Sequence, residues 1–235
     1  MRISEELVKR VDKHGMYNYI WNSPEQLERG YEGAVRAGLT IEPKGRPLYF
    51  FGMGASATSS DLAVSWASSF TTSRMEIIRW HRIPPLPEDS LLILVSKSGN
   101  TTEVLRAFEE VLGKRDVICV ACGGKLAEIA EKEGVPLVLV ELTPLSRTTT
   151  FALSGAILGI LEEALNLEKV GTSIKVASSS LRVVREKVKI SEEGNEAKDL
   201  ALKALGKRLH VVPTYEMRVV GMRLIQQLNE NAKVG

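Results

Sequence analysis

Hydroxyl side chains crowd into one short stretch of this sequence, Ser96-Lys97-Ser98-Gly99-Asn100-Thr101-Thr102. Ser96, Ser98 and Thr101 sit where an apolar run ends and an amphipathic segment begins. Hydroxyls and free backbone N–H groups at a helix start favour an anion, because the first-turn amides lack partners and the helix dipole presents its positive end there. A phosphate oxygen is the natural occupant. Ser, Thr and Asn are also ordinary helix caps, so a capped helix with nothing bound is the plain alternative. A second turn, Gly52-Met53-Gly54-Ala55-Ser56-Ala57, combines a hydroxyl with small residues that let backbone approach a ligand closely. A third, Leu142-Thr143-Pro144-Leu145-Ser146-Arg147-Thr148, puts the cation Arg147 at the mouth of an apolar helix. The dipole disfavours a cation there, and a bound anion would offset that. Near the end of the chain Glu230 lies between Asn229 and Asn231, whose amides could orient its carboxylate.

The elements that must position these residues alternate. Leu48–Phe51 reads as a strand running into the turn at 52–57 and a helix through Leu62, Val64, Trp66 and Phe70; Glu76–Arg79 reads as the next strand. Leu91–Val95 is an unbroken apolar run rich in branched residues, which predicts a central strand. Three βα units follow: strand 91–95 with helix 101–112, strand 117–121 with helix 125–133, and strand 136–140 with helix 148–165. Such alternation predicts a parallel sheet covered on both faces, with ligands beyond the carboxyl ends of its strands. Both hydroxyl-bearing turns fall at that edge. The G-x-G of the first turn matches a dinucleotide fingerprint only loosely, since Ala57 holds the third small position and no acidic residue ends the next strand.

On either side of these units the pattern is helical. Residues 4–36 read as two helices, one capped by Ser4 and one opened by Ser23-Pro24-Glu25. After a linker at 166–171, helices are predicted at 173–189 and 195–205. Arg208–Pro213 then reads as a strand and Tyr215–Lys233 as a helix, the beginning of a second α/β lobe. Composition excludes other classes. A net charge of +2 without basic runs gives no case for a polyanion partner, and the apolar stretches are too short to span a bilayer. The charged N-terminus carries no signal-peptide core. Cys119 and Cys122 form a lone C-x-x-C at a strand end with no second pair to complete a metal site, so they read as core thiols of a reducing cytoplasm.

Together, Gly52-Met53-Gly54-Ala55-Ser56, Ser96-Lys97-Ser98-Gly99-Asn100-Thr101, Arg147 in its loop, and Asn229-Glu230-Asn231-Ala232-Lys233 resemble the sugar isomerase (SIS) domain family, in particular its archaeal-type bifunctional phosphoglucose/phosphomannose isomerase branch. The resemblance implies an α/β fold: a doubly wound parallel sheet, the flavodoxin-like SIS sandwich, with the start of a second α/β lobe. It implies an SIS domain with N-terminal helices over 1–165, then linker helices and an incomplete second lobe over 166–235. It implies that Ser56, Ser96, Ser98 and Thr101 hold substrate phosphate and hydroxyls, that Gly54 and its neighbour Ala55 give close backbone approach, that Arg147 stabilises negative charge on an enediol-like intermediate, and that Glu230 moves the proton between C1 and C2. This chain departs from the family in having Ala55 in place of a further glycine. The family's ring-opening histidine and late lysine fall past Lys233, and His14, His81 and His210 stand in unrelated contexts.

The implied activity is an aldose–ketose isomerase on glucose 6-phosphate, extending to mannose 6-phosphate, needing no metal or organic cofactor. The chemistry requires phosphate anchoring, a carboxylate for acid/base work and charge stabilisation at the sugar oxygens, and the chain offers a candidate for each. The alternatives are another SIS sugar-phosphate isomerase, and a phosphosugar-sensing module that binds without turnover. The expected partner is a small phosphosugar in a cytoplasmic homodimer, with no nucleic acid or membrane.

Overall fold

A computed structural model describes residues 3–192 and 195–232. Strands β1 (Leu48–Gly52), β2 (Met75–Ile78), β3 (Leu91–Ser96), β4 (Val117–Ala121) and β5 (Leu137–Leu139) form one five-stranded sheet in the order β2-β1-β3-β4-β5. Every neighbouring pair is parallel. Strands β1, β3 and β4 are buried at every residue, which is why they read as continuous apolar runs: a parallel strand with helices on both faces has no solvent side to alternate with. The alternation is instead between two cores. Leu48, Phe50, Leu91, Ile93 and Val95 face one layer, and Tyr49, Phe51, Leu92 and Leu94 face the other.

The second layer is closed by α5 (Thr102–Val111) and α6 (Gly124–Lys132), through Val104, Phe108 and Leu126. The first is closed by α3 (Ser23–Arg36), α4 (Gly54–Ala67) and α7 (Thr150–Leu165). Helices α3 and α7 meet backbone to backbone. A Cβ at Gly30 would lie 1.9 Å from the carbonyl oxygen of Ala152, and one at Gly155 would lie 2.1 Å from that of Leu27. Glycine is required here by space.

Helix α8 (Val170–Lys187) lies against α3, where Ile174 and Ser178 are buried and the Ser178 hydroxyl donates to the Pro24 carbonyl at 3.2 Å. Arg182 grips Glu28 with two nitrogens, at 3.0 and 2.6 Å, while its Nε reaches Glu25. Arg185 also bonds Glu25 and stacks over Trp21 at 5.1 Å.

Several boundaries differ from the sequence reading. The N-terminal region holds three helices, α1 (Glu5–Val11), α2 (Met16–Trp21) and α3. Gly15 turns the chain at φ +64°, and the Asp12 carboxylate accepts from the amides of Met16 and Tyr17 at 2.8 Å each, starting α2 afresh. Helix α8 begins at Val170, shortening the expected linker, and α9 runs Glu196–Ala204 behind an Asn195 cap whose side-chain oxygen accepts from the Lys198 amide at 2.8 Å. Arg208–Pro213 is not a strand. A strand exists by pairing, and among the described residues none hydrogen-bonds alongside it. The expected helix over 215–233 is α10 (Arg218–Gln227), extended by a π-helical turn at Leu228–Ala232; Lys233 lies outside the described residues. Among the described residues no helix is long and apolar enough to cross a membrane.

Replacing Gly30 by alanine should lower stability by about 3 kcal/mol or prevent folding, because the new methyl meets rigid backbone. Urea unfolding monitored by circular dichroism measures this, and a shift near zero would show that α3 can slide on α7.

Candidate functional site

Strand order decides where a ligand would sit. From β1 the chain crosses outward to β2, and from β3 it crosses the other way to β4, so the crevice lies between the carboxyl ends of β1 and β3. Those ends are adjacent, with Gly52 paired to Val95. The turns expected to hold phosphate and sugar hydroxyls leave these two strand ends side by side.

Gly54 opens α4 at φ +52° and is exposed; no side chain caps that helix, and none caps α5. The first-turn amides of both helices are therefore free of the side-chain acceptors that usually occupy such positions. Ala55 follows, half-buried, and its carbonyl accepts from the Ser59 hydroxyl. Ser56 is buried, and its Oγ accepts from the Lys97 amide at 3.2 Å, joining the two turns. Ser96 and Thr101 share a hydrogen bond of 2.9 Å between hydroxyls. Exposed Ser98 accepts from the Asn100 amide at 3.1 Å. The turn is fixed from behind. Gly99 has φ +64°, and a Cβ there would lie 1.8 Å from the Gly123 carbonyl oxygen, while Asn100 Oδ1 accepts from the Lys125 amide at 3.1 Å.

Arg147 ends up at this edge by a longer route. It lies in a single 3-10 turn, Ser146–Thr148, ahead of α7. The loop is braced by threonines: Thr148 Oγ1 donates to the Leu145 carbonyl at 2.7 Å and lies 2.9 Å from the Thr143 hydroxyl. Arg147 Nη1 donates to Glu230 Oε2 at 3.1 Å, an ion pair between residues 83 apart in sequence. The Arg147 Nε is buried with no partner among the described residues. Asn231 turns back onto Gln227 at 2.5 Å, so the contact that orients Glu230 is Arg147 rather than the flanking amide.

Helix α10 brings Glu230 there. Gln226 Nε2 donates to the Thr58 hydroxyl of α4 at 3.0 Å, and Thr58 in turn donates to the Gly54 carbonyl at 3.2 Å. Arg223 donates through Nη2 to the main-chain carbonyl of Arg147. Burial holds the Arg223 guanidinium below the usual arginine range, with Glu230 opposing that shift and Arg147 adding to it. Sequence reasoning missed Arg223 and Gln226, although they fall seven and four residues before Glu230, on one helical face. Thr58 and Lys97 carried no comparable signal. Cys119 and Cys122 are free thiols pushed up by burial to about 12 and about 11, the second partly relieved by the Lys97 charge; both remain protonated near neutrality, as core thiols do.

A five-stranded parallel sheet wound in this order is an α/β fold that the chain shares with a solved structure described as a putative tagatose-6-phosphate ketose/aldose isomerase from Clostridium novyi, which superposes with a TM-score of 0.65 at 18% identity, covering 97% of this chain and 63% of that one. In sequence the chain is similar over most of its length to proteins named bifunctional phosphoglucose/phosphomannose isomerase. The one from Caldicellulosiruptor bescii is 27% identical over 230 residues, covering 93% of this chain and 66% of the relative. A D-glucosamine-6-phosphate 4-epimerase of Sulfolobus acidocaldarius is 26% identical over 223 residues, covering 90% of this chain and 66% of its own length. Among solved structures, the C-terminal domain of glucosamine-fructose-6-phosphate aminotransferase from Francisella tularensis superposes with a TM-score of 0.71 at 14% identity, covering 94% of this chain and 69% of that one. The chain spans about two thirds of the length of these curated relatives. No protein-family model matches it.

Proposed function

We propose that this chain carries the substrate-binding and proton-transfer machinery of an aldose–ketose isomerase that interconverts glucose 6-phosphate, or mannose 6-phosphate, with fructose 6-phosphate. One observation supports the reading above the others: the carboxylate and the guanidinium that the chemistry needs, Glu230 and Arg147, meet at 3.1 Å at the edge that holds the hydroxyl turns. In this reading Ser56, Ser96, Ser98 and Thr101, with the first-turn amides of α4 and α5, hold phosphate and hydroxyls, and the backbone at Gly54 and Ala55 lies against the ligand. Glu230 takes the proton from C2 of the open-chain aldose and returns it to C1. Negative charge gathers on the sugar oxygen as the enediolate forms, and Arg147 stabilises it there. With no sugar bound the two side chains neutralise each other, so substrate must part them before the carboxylate can act.

That last feature also favours a second reading, a phosphosugar-sensing module in which Glu230 serves only to hold Arg147. Another SIS sugar-phosphate isomerase is the remaining alternative within the enzyme class. Turnover assays separate them: binding without isomerisation selects the sensor, and turnover confined to a different phosphosugar selects the other isomerase. Free thiols at Cys119 and Cys122 accord with a reducing cytoplasm. The exposed apolar side chains Val212, Tyr215, Val220, Leu224 and Ile225, with Val212 91% exposed, are where a second copy of the chain would bind in a homodimer.

Replacing Ser98 and Thr101 together by alanine should weaken fructose 6-phosphate binding about tenfold or more in calorimetry, with thermal stability shifted by only a few degrees. Unchanged affinity would remove the phosphate site from this crevice. Glu230→Gln should abolish exchange of solvent protons into C1 and C2 of the sugar while phosphosugar affinity stays within about twofold; exchange persisting at the wild-type rate would assign the base elsewhere. Sedimentation equilibrium at micromolar concentration should return the mass of two chains. A one-chain mass would leave the exposed apolar side chains without this partner.

A further inference from the structure

We propose that Arg223 is a positioning residue: by holding the main chain at Arg147 it aims the Arg147 guanidinium at Glu230. The inference deepens the isomerase reading and rests on it for its catalytic consequence.

The threonines that brace the loop bond Leu145 and one another and leave Arg147 itself to other contacts. It sits in one 3-10 turn, a geometry with weak hydrogen bonds, and its side chain has many rotamers to lose. Glu230 holds the far end of that side chain at Nη1, while Nε is buried and has no partner among the described residues. The direction of the guanidinium therefore depends on where the main chain stands. Arg223 supplies that fixed point through a charge-assisted bond to the Arg147 carbonyl, stronger than the neutral and longer contact, 3.5 Å, that Gln227 Nε2 makes to the same oxygen.

The same neighbour acts on the head group as well. Arg223 and Arg147 are like charges at close range, and Glu230 is the carboxylate that faces both. Repulsion pushes the Arg147 guanidinium away from Arg223 while the carbonyl bond holds the base of the residue in place, and the carboxylate receives the displaced head. Two cations against one anion also leave a net positive charge at the place where an enediolate would form. Gln226, three residues on, fastens α10 to Thr58 and accepts a long 3.5 Å bond from Arg223 Nη1, but does not touch Arg147, so its loss loosens the helix dock while leaving the bond from Arg223 to the Arg147 carbonyl.

The test is a double-mutant cycle on the full chain, combining Arg147→Met and Glu230→Gln and read by urea unfolding. It is run with Arg223, Arg223→Lys, Arg223→Met and, separately, Gln226→Ala. With Arg223 present the two residues should be coupled by about threefold in the unfolding equilibrium, the range of a half-exposed ion pair. The coupling should vanish in Arg223→Met, survive in Arg223→Lys, and survive in Gln226→Ala even though that variant is less stable. In turnover, Arg223→Met should lower kcat about tenfold with KM within twofold, and Arg223→Lys should recover most of it. Coupling that persists in Arg223→Met, or that is lost with kcat unchanged, overturns the inference. If no variant, wild type included, turns over sugar, the isomerase reading fails, and the coupling still decides what Arg223 does.

Discussion

The parallel ladder between β1 and β3 is the constraint from which the rest of the site follows. Pairing Leu48 through Gly52 with Leu91 through Val95 buries both strands and brings their carboxyl ends to the same height. Two helix starts then open side by side, with free amides and hydroxyls in one crevice. A slip of β1 by one residue would turn Phe50 away from the layer it shares with Ile93 and separate the turns. The register is thus held by apolar packing far from any ligand, and the Ser56–Lys97 bond at the mouth only completes it. Burial provides the rigidity, and the polar groups take their geometry from it.

Charge is distributed on a different logic. Among the described residues, ion pairs such as those of Arg182 and Arg185 with Glu25 and Glu28 lie away from the crevice, where they tie α8 to α3. The Arg147–Glu230 pair is different in kind. Its members come from a short turn and from the end of the last described helix, and each is at least a quarter exposed, at 26% and 46%. Such a pair adds little to stability. It can open when a charged ligand competes, which a buried pair could not do without a large desolvation cost.

Much of the scaffold was legible because burial on both faces leaves an unmistakable mark. Leu91–Val95 and Val117–Ala121 are apolar runs of strand length, and each is followed by turn residues and an amphipathic helix. The crevice was legible for the same reason, since its hydroxyls and glycines are local to single turns. What could not be read was the tertiary addressing. Nothing near Ser56 indicates that its hydroxyl accepts from Lys97, and Arg223 appears in sequence as one more charge on a helix. Arg208–Pro213 shows the opposite failure. Its residues favour an extended chain, but propensity is satisfied only where a neighbouring strand offers hydrogen bonds, and local pattern cannot report whether one is present.

The glycine contact between α3 and α7 has a consequence for how the chain must be made. Helix α3 precedes its partners in the chain by more than a hundred residues: Tyr31 donates its hydroxyl to Glu162 at 2.6 Å, and Glu25 accepts from Arg182, 157 residues downstream. Until α7 appears, the small-residue face of α3 has nothing rigid to seat against, while β1 and β3 can already pair. Folding dominated by contacts so distant in sequence is slow, and transiently uncovered apolar surface is where aggregation begins. The sheet's first layer therefore cannot close over α3 until α7 and α8 are in place.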